Sequence, residues 1–404
     1  MKRQNESIND IDLARVEAAL DTLLAHHEPA TESYEEFRGH QFDHGLAWVH
    51  NPEGHGGLGV RAQLQRVVNR RLAEAGAVRM NASQFFMMLA GPTIVTHGSE
   101  QVKQRFLRPM FTGEERWCQL FSEPGAGSDF AGLGTKAVRD GDEWVINGQK
   151  VWNTGAHSAD WGMLVTRTDP NVPKHRGMTY FALNMKAPGV DVRPLRQITG
   201  EAEFNEVYMT DVRVHDDCRV GAEGEGWRAA LTTLMNERTA IGGGGGGGPK
   251  RGGGVIGELV GLWGEADEHQ KTEVNRDEVM QLWVRAETLR LTNMRAAELA
   301  KAGNPGPEGS VGKSMMAEFS QDVYDKAVDL QGMAGQVDFD YTFRRPEASR
   351  TGDGTGYAFL RARANTIEGG TTEVLKNILG EQVLGLPGEP RVDKEIPWID
   401  VPRG

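Results

Sequence analysis

The chain has 404 residues, 38% of them apolar and 25% charged, a balance that suits a globular protein long enough for two or three packed units. Its 45 basic and 57 acidic side chains leave a formal charge of −12, which repels phosphate backbones and argues against nucleic acid as a partner. Two cysteines, Cys118 and Cys218, without a CxxC or Cys/His cluster fit a reduced, cytoplasmic setting and no bound metal, and no apolar run approaches the roughly 18 residues of a membrane span or an export signal.

From Ile8 to about Trp117 the pattern is helical. Ile11, Leu13, Val16, Ala19, Leu20, Leu23 and Leu24 recur at three- and four-residue spacing, the mark of one apolar stripe on a helix. Further helical runs follow at Leu64–Leu72, Phe85–Leu89 and Val102–Phe111. Between them, Gly54-His55-Gly56-Gly57-Leu58-Gly59 fits GxGxxG formally, but it follows Asn51-Pro52-Glu53 rather than a buried strand, so it reads as a turn and not a dinucleotide site.

The character then changes. Cys118–Asp129 concentrates turn-formers and small polar donors, with Ser122 and Ser128 flanking Pro124, Gly125 and Gly127, so the backbone can turn sharply against a ligand. Short apolar runs follow at Trp144–Ile146, Gly162–Thr166, Met178–Leu183, Val190–Leu195, Phe204–Met209 and Val212–Val214. Asp140-Gly141 and Asn147-Gly148 are hairpin signals, and the block reads as all-β rather than as βαβ units. Helical pattern resumes at Gly226, where Trp227, Ala230, Leu231, Leu234, Met235 and Ile241 form a stripe, and continues at Glu278–Ala302, Ser314–Leu330 and Thr371–Val383. The seven glycines Gly242–Gly248 favour a loop, since each costs about 1 kcal/mol in a helix relative to alanine. Gly303–Ser310 and Thr342–Gly356 also read as surface loops. The expected class is therefore α+β: an N-terminal helical domain (1–117), a middle β-barrel or sandwich (118–222) and a C-terminal helical bundle (223–404).

Several stretches together resemble the acyl-CoA dehydrogenase family. They are Ser122-Glu123-Pro124-Gly125-Ala126-Gly127-Ser128-Asp129, Asn147 to Thr154, Gly221 to Trp227 leading to Asn236-Glu237-Arg238, Gly369-Gly370-Thr371-Thr372-Glu373, and Val383-Leu384-Gly385-Leu386-Pro387. The resemblance implies bound FAD and an acyl-CoA thioester oxidised to its 2-enoyl form in lipid or fatty acid catabolism. It also implies electrons leaving to an electron-transfer flavoprotein, and assembly as a homo- or hetero-oligomeric dimer or tetramer. By the same resemblance Phe121 and Ser122 serve the pyrimidine side of the flavin, Thr154 bonds near N5, Trp152 packs on the ring and Ser128 reaches the diphosphate. Gly332 and Gly335, in Leu330-Gln331-Gly332-Met333-Ala334-Gly335, resemble the segment that contacts FAD across a subunit interface. Thr371 and Glu373 complete the implied cofactor set, and Ser128, Arg238, Gly369 and Gly370 the substrate set.

The base requires a choice between elements. Abstracting the weakly acidic α-proton of a thioester calls for a carboxylate in a dry pocket. In many relatives that residue immediately precedes a Gly-Thr opening a late helix, and here the position is Gly369. A second family solution places a glutamate directly before the arginine of the helix after the β-domain, and Glu237-Arg238 stands there. Leu234 and Ile241 flank Glu237 on its helix, surroundings expected to raise its pKa, so Glu237 is the expected base. Glu368, one residue off the usual place, is the alternative, and a helix-surface ion pair is the non-catalytic reading of Glu237. One departure stands out: nothing between Gly242 and Asp277 matches the family's Arg-x-x-Phe-Gly segment, which suits a chain that completes a partner's FAD site as a non-catalytic subunit.

Overall fold

The computed structural model describes residues 2–78, 85–241, 250–301, 308–337, 342–346 and 354–402. Among the described residues five helices open the chain: α1 (Lys2–His26), α2 (Tyr34–Asp43), α3 (Gln65–Glu74), α4 (Met87–His97) and α5 (Glu100–Thr112). Ser33 and Glu36 cap α2 reciprocally, each side chain accepting the other's backbone N–H. Of the stripe expected on α1, Val16, Leu20 and Leu23 are buried against Phe37, Leu46, Val68 and Leu72, whereas Ile11 and Leu13 are exposed. The stripe is shorter than its spacing suggests because α1 meets its partners over its second half. Gly54–Gly59 is a turn, and Gly57 passes so close to the chain that a Cβ there would lie 2.1 Å from the Asn51 carbonyl oxygen.

Eight strands follow as one sheet: β1 (Trp117–Leu120), β2 (Lys136–Asp140), β3 (Glu143–Lys150), β4 (Trp161–Arg167), β5 (Met178–Asn184), β6 (Val190–Pro194), β7 (Asn205–His215) and β8 (Arg219–Val220). Their order is β6-β7-β3-β2-β4-β5-β8, with β1 added parallel to β4. Strand alternation divides the core in two. Cys118, Leu120, Trp144, Ile146, Leu164, Phe181, Val207 and Val212 meet on the inner side of the curled sheet, while Trp117, Met163, Val165 and Tyr180 face the helices. Two sequence expectations are corrected here. Phe204–Met209 and Val212–Val214 belong to the single strand β7, bent at Asp211, whose φ is +51°. Asn147-Gly148 makes no hairpin but a bulge inside β3, where the pairing steps from Ile146 opposite Val212 to Gly148 opposite Met209. Glycine is required there, because a Cβ would lie 2.4 Å from Thr135 Oγ1, and Asn147 bridges the irregularity by two 3.0 Å hydrogen bonds with Asp211.

The remaining helices are α6 (Gly226–Ile241), α7 (Val255–Glu265), α8 (Glu273–Lys301), α9 (Glu308–Leu330), α10 (Thr355–Ala362) and α11 (Thr372–Ile378), the last continuing as a π-helical turn over Leu379–Val383. The stripe expected on α6 is rotated: Ala229, Ala230 and Thr233 are buried, while Leu231 and Met235 are exposed. Helix α7 was not foreseen, because Gly257, Gly261 and Gly264 weaken the local signal; Ile256 and Leu259 hold it by burying themselves against Val279, Phe319 and Val323. The loops expected at Gly303–Ser310 and Thr342–Gly356 are invaded by α9 and α10, and Gly242–Gly248 lies outside the described residues. After α11 the chain returns to the β-domain, where the Trp398 indole donates to the Gly132 carbonyl (3.1 Å) and the Arg167 guanidinium lies over its ring.

Candidate active site

The loop after β1 is held from beneath by a buried ion pair. Lys150, fully buried at the end of β3, donates to Glu123 Oε1 (2.8 Å) and to the Phe121 carbonyl (3.0 Å). Glu123 also accepts the backbone N–H groups of Gly134 (2.7 Å) and Thr135 (2.9 Å). Burial opposes ionisation of Glu123, but the ammonium and these donors outweigh it and hold its pKa below the ordinary value. At the far end of the loop Asp129 is gripped by Lys174 (2.8 and 2.9 Å), which also pairs with Asp393. The stretch between is exposed at Gly125, Gly127 and Ser128, and nothing lies within 4 Å of where a Cβ on either glycine would point.

The segment after β3 is tied to this loop. Val151 N–H donates to the Ser122 carbonyl (2.9 Å), and the buried Asn153 donates its side-chain amide to the Gln119 carbonyl (2.8 Å). Between these two anchored residues Trp152 is forced into a left-handed backbone, φ +61°, and stands 57% exposed with its ring edge-on to Phe204. Such strain in a non-glycine residue marks a position held for a purpose. Thr154 follows, half-buried. The structure thus brings Phe121, Ser122, Trp152 and Thr154 together, with Ser128 beyond them on the loop's outer arm.

Glu237 reaches the same place from α6. Gly226 lets that helix start against the backbone of Thr179, where a Cβ would lie 2.7 Å away, and Thr233 bonds to Thr93 of α4 (2.9 Å). One turn after Thr233, the half-buried Glu237 accepts a hydrogen bond at Oε2 from Gln119 Nε2 (3.3 Å). Gln119 shares the helix-facing side of β1 with Trp117, and it precedes Ser122 by three residues. The backbone of Arg238 lies in α6, but its side chain is outside the described residues.

The late segment is built differently. Gly369 and Gly370 take φ of +64° and +98°, and the buried Lys313 of α9 fixes the turn by donating to the carbonyls of Gly370 (2.6 Å) and Asn365 (2.9 Å). Thr371 caps α11 through Val374 N–H (3.2 Å), and Glu373 is exposed. Glu368 is engaged by both arms of the Arg361 guanidinium, at 3.1 and 2.9 Å. Gly332 and Gly335 sit in a turn at the other end of α9, roughly 28 Å along its axis from Lys313 at 1.5 Å per residue, beside the strongly exposed Met333.

The open, donor-bearing loop and the upright indole suit a planar ring joined to a diphosphate. The residues that sequence reasoning missed are those that support it: Gln119, Lys150, Lys174, Arg361 and Asp393. Lys150 stood within the Asn147–Thr154 stretch and Gln119 within the opening of the loop, but only burial shows what either holds.

The family models described as acyl-CoA dehydrogenase N-terminal, middle and C-terminal domains match residues 14–114, 118–212 and 224–384. The chain is 36% identical to acyl-CoA dehydrogenase IpdE1 of Mycobacterium tuberculosis over 86% of both chains. It is 38% identical to acyl-CoA dehydrogenase FadE34 of the same organism over 85% of its own length, spanning 45% of that longer protein. Among solved structures it resembles the Tcur3481-Tcur3483 steroid ACAD (TM-score 0.68, 25% identity, 95% of this chain and 98% of that one). It also resembles the ChsE4-ChsE5 complex from Mycobacterium tuberculosis (TM-score 0.66, 26% identity, 96% and 98%). With its helical, β and helical parts in that order, the chain belongs to the acyl-CoA dehydrogenase family of flavin-dependent oxidoreductases.

Proposed function

We propose that this chain catalyses the α,β-dehydrogenation of an acyl-CoA thioester to the trans-2-enoyl-CoA, with Glu237 as the base that takes the α-proton. The observation that carries this reading is the Gln119–Glu237 contact, which puts a half-buried carboxylate against a side chain that stands three residues before Ser122. Three other acids of these segments are held in ion pairs: Glu123 with Lys150, Asp129 with Lys174, and Glu368 with Arg361. FAD, when bound, would supply the acceptor for the β-hydride. Phe121, Ser122 and Thr154 would line its ring, Trp152 would cover it, Ser128 would meet its diphosphate, and Thr371 and Glu373 would complete the contacts. Gly332 and Gly335 would reach the FAD of a neighbouring subunit. Ser128, Arg238, Gly369 and Gly370 would frame the acyl-CoA. A steroid-type or otherwise bulky acyl group in lipid catabolism is supported by the name of one structural relative. A cytoplasmic dimer or tetramer that passes electrons to an electron-transfer flavoprotein completes the proposal.

Glu237→Gln should leave a folded, yellow protein whose flavin is bleached by acyl-CoA without oxygen at least about 1000-fold more slowly. Bleaching at the wild-type rate would remove Glu237 from the mechanism. A second reading, an FAD-completing subunit without its own chemistry, draws on the absent Arg-x-x-Phe-Gly segment and on the two-protein names of the structural relatives. It requires the purified chain to be colourless until a partner is added.

A further inference from the structure

We propose that His27, Glu32 and His40 form a binding site for one divalent transition-metal ion, zinc or a similar borderline cation, that fastens the end of α1 to α2. The three residues come from different pieces of one reversal. His27 directly follows α1, Glu32 lies on the turn, and His40 is in the last turn of α2. The capping box at Ser33 and Glu36 fixes where α2 begins, and His40, seven residues beyond the cap, returns to the same side as His27.

The geometry is close to coordination. His27 Nδ1 lies 3.0 Å from Glu32 Oε1, His40 Nε2 lies 3.8 Å from Glu32 Oε2, and all the candidate ligand atoms fall within 4.8 Å of one another. Ligands bound tetrahedrally to zinc at about 2.0–2.2 Å are about 3.3–3.6 Å apart, so movements of about 1 Å would seat an ion. The two imidazoles already stack, with centroids 3.5 Å apart and planes 17° from parallel. A second observation points to a cation ligand: Glu32 Oε2 is shielded from solvent and has no hydrogen-bond partner. A shielded carboxylate oxygen without a donor is costly, and a metal ion would satisfy it.

The donor set selects the class of ion. Two imidazoles and one carboxylate suit zinc, cobalt, nickel or copper, whereas calcium and magnesium take mainly oxygen ligands. A water molecule can supply a fourth ligand. The cluster shares no residue with the site around Trp152 and Glu237, so the ion is structural and cross-links two helices. No sequence motif announces it, because the steps of five and eight residues acquire meaning only once the chain reverses.

The test uses the full-length, flavin-loaded protein, stripped with a chelator and titrated calorimetrically with zinc, with cobalt as a spectroscopic probe. Wild type should bind one zinc per chain at micromolar or lower concentration and, with cobalt, show the visible bands of tetrahedral coordination. Glu32→Gln and His40→Gln should each weaken zinc binding by at least about tenfold and abolish the cobalt bands, while flavin absorbance and anaerobic bleaching stay at wild-type levels. Failure of wild type to take up stoichiometric zinc overturns the site even if a variant folds poorly, and so does undiminished zinc affinity in both variants.

Discussion

The β-domain and the C-terminal bundle meet their surroundings in opposite ways. In the β-domain charges are taken inside and paired: Lys150 is fully buried on Glu123, and Lys174 is nearly buried between Asp129 and Asp393. In the bundle, apolar groups are left outside. Helix α8 exposes Met280, Val284, Leu291 and Met294, spaced so that they share one face, and Met333 is exposed at the end of α9. A surface that holds a ligand loop needs fixed geometry, which buried ion pairs supply at the cost of desolvation. An apolar helix face left open is instead the pattern of a core that another subunit completes.

The contrast can be broken from either side. Lys150→Met leaves the Glu123 carboxylate buried without its counter-ion, and should lower unfolding free energy by about 3–5 kcal/mol in urea titrations, with loss of bound flavin. The double variant Lys150→Met, Glu123→Leu should recover much of that stability without recovering flavin. On the bundle side, Val284→Lys with Leu291→Lys should shift the mass measured by light scattering toward the monomer while far-UV circular dichroism stays unchanged. An unaltered mass would remove α8 from the proposed assembly surface.

A pH series sharpens the first half. Because the folded pKa of Glu123 lies below its unfolded value, its contribution is complete above about pH 4.3 and is lost as pH falls through the folded value. The stability gap between wild type and Glu123→Gln should therefore be widest at neutral pH and narrow below about pH 4. The smallest effect concerns the seam between the two regions. Gln119→Leu, which removes the donor to Glu237, should reduce kcat/KM about five- to tenfold with folding intact, roughly the worth of one ordinary hydrogen bond, as suits a 3.3 Å contact.

Legibility followed the range of the forces involved. The order of helical and β segments, the hairpin at Asp140-Gly141 and the Ser122–Asp129 loop could be read from period and turn chemistry, because those signals are local. Helix α7 could not, since three glycines mask a helix that is held by Ile256 and Leu259 from outside. Asn147-Gly148 carried the right chemistry for a turn, but the nearness of Thr135 converts it to a bulge. At the site, Glu237 was singled out by its neighbours in sequence, whereas its contact with Gln119 lies 118 residues away in sequence and needs the fold. The grip of Arg361 on Glu368 is likewise visible only in the fold. The grouping of His27 with His40 likewise depends on a chain reversal that no composition records.

The return of the chain onto the β-domain has a consequence for biogenesis. Lys174 waits 219 residues for Asp393, and Gly132 waits 266 residues for Trp398. During synthesis at about 5–20 residues per second, the loop that ends in Asp129 therefore spends on the order of ten seconds or more without its last fastening. A ribosome that stalls shortly before residue 393 would display a β-domain with its strands paired and that loop unsecured.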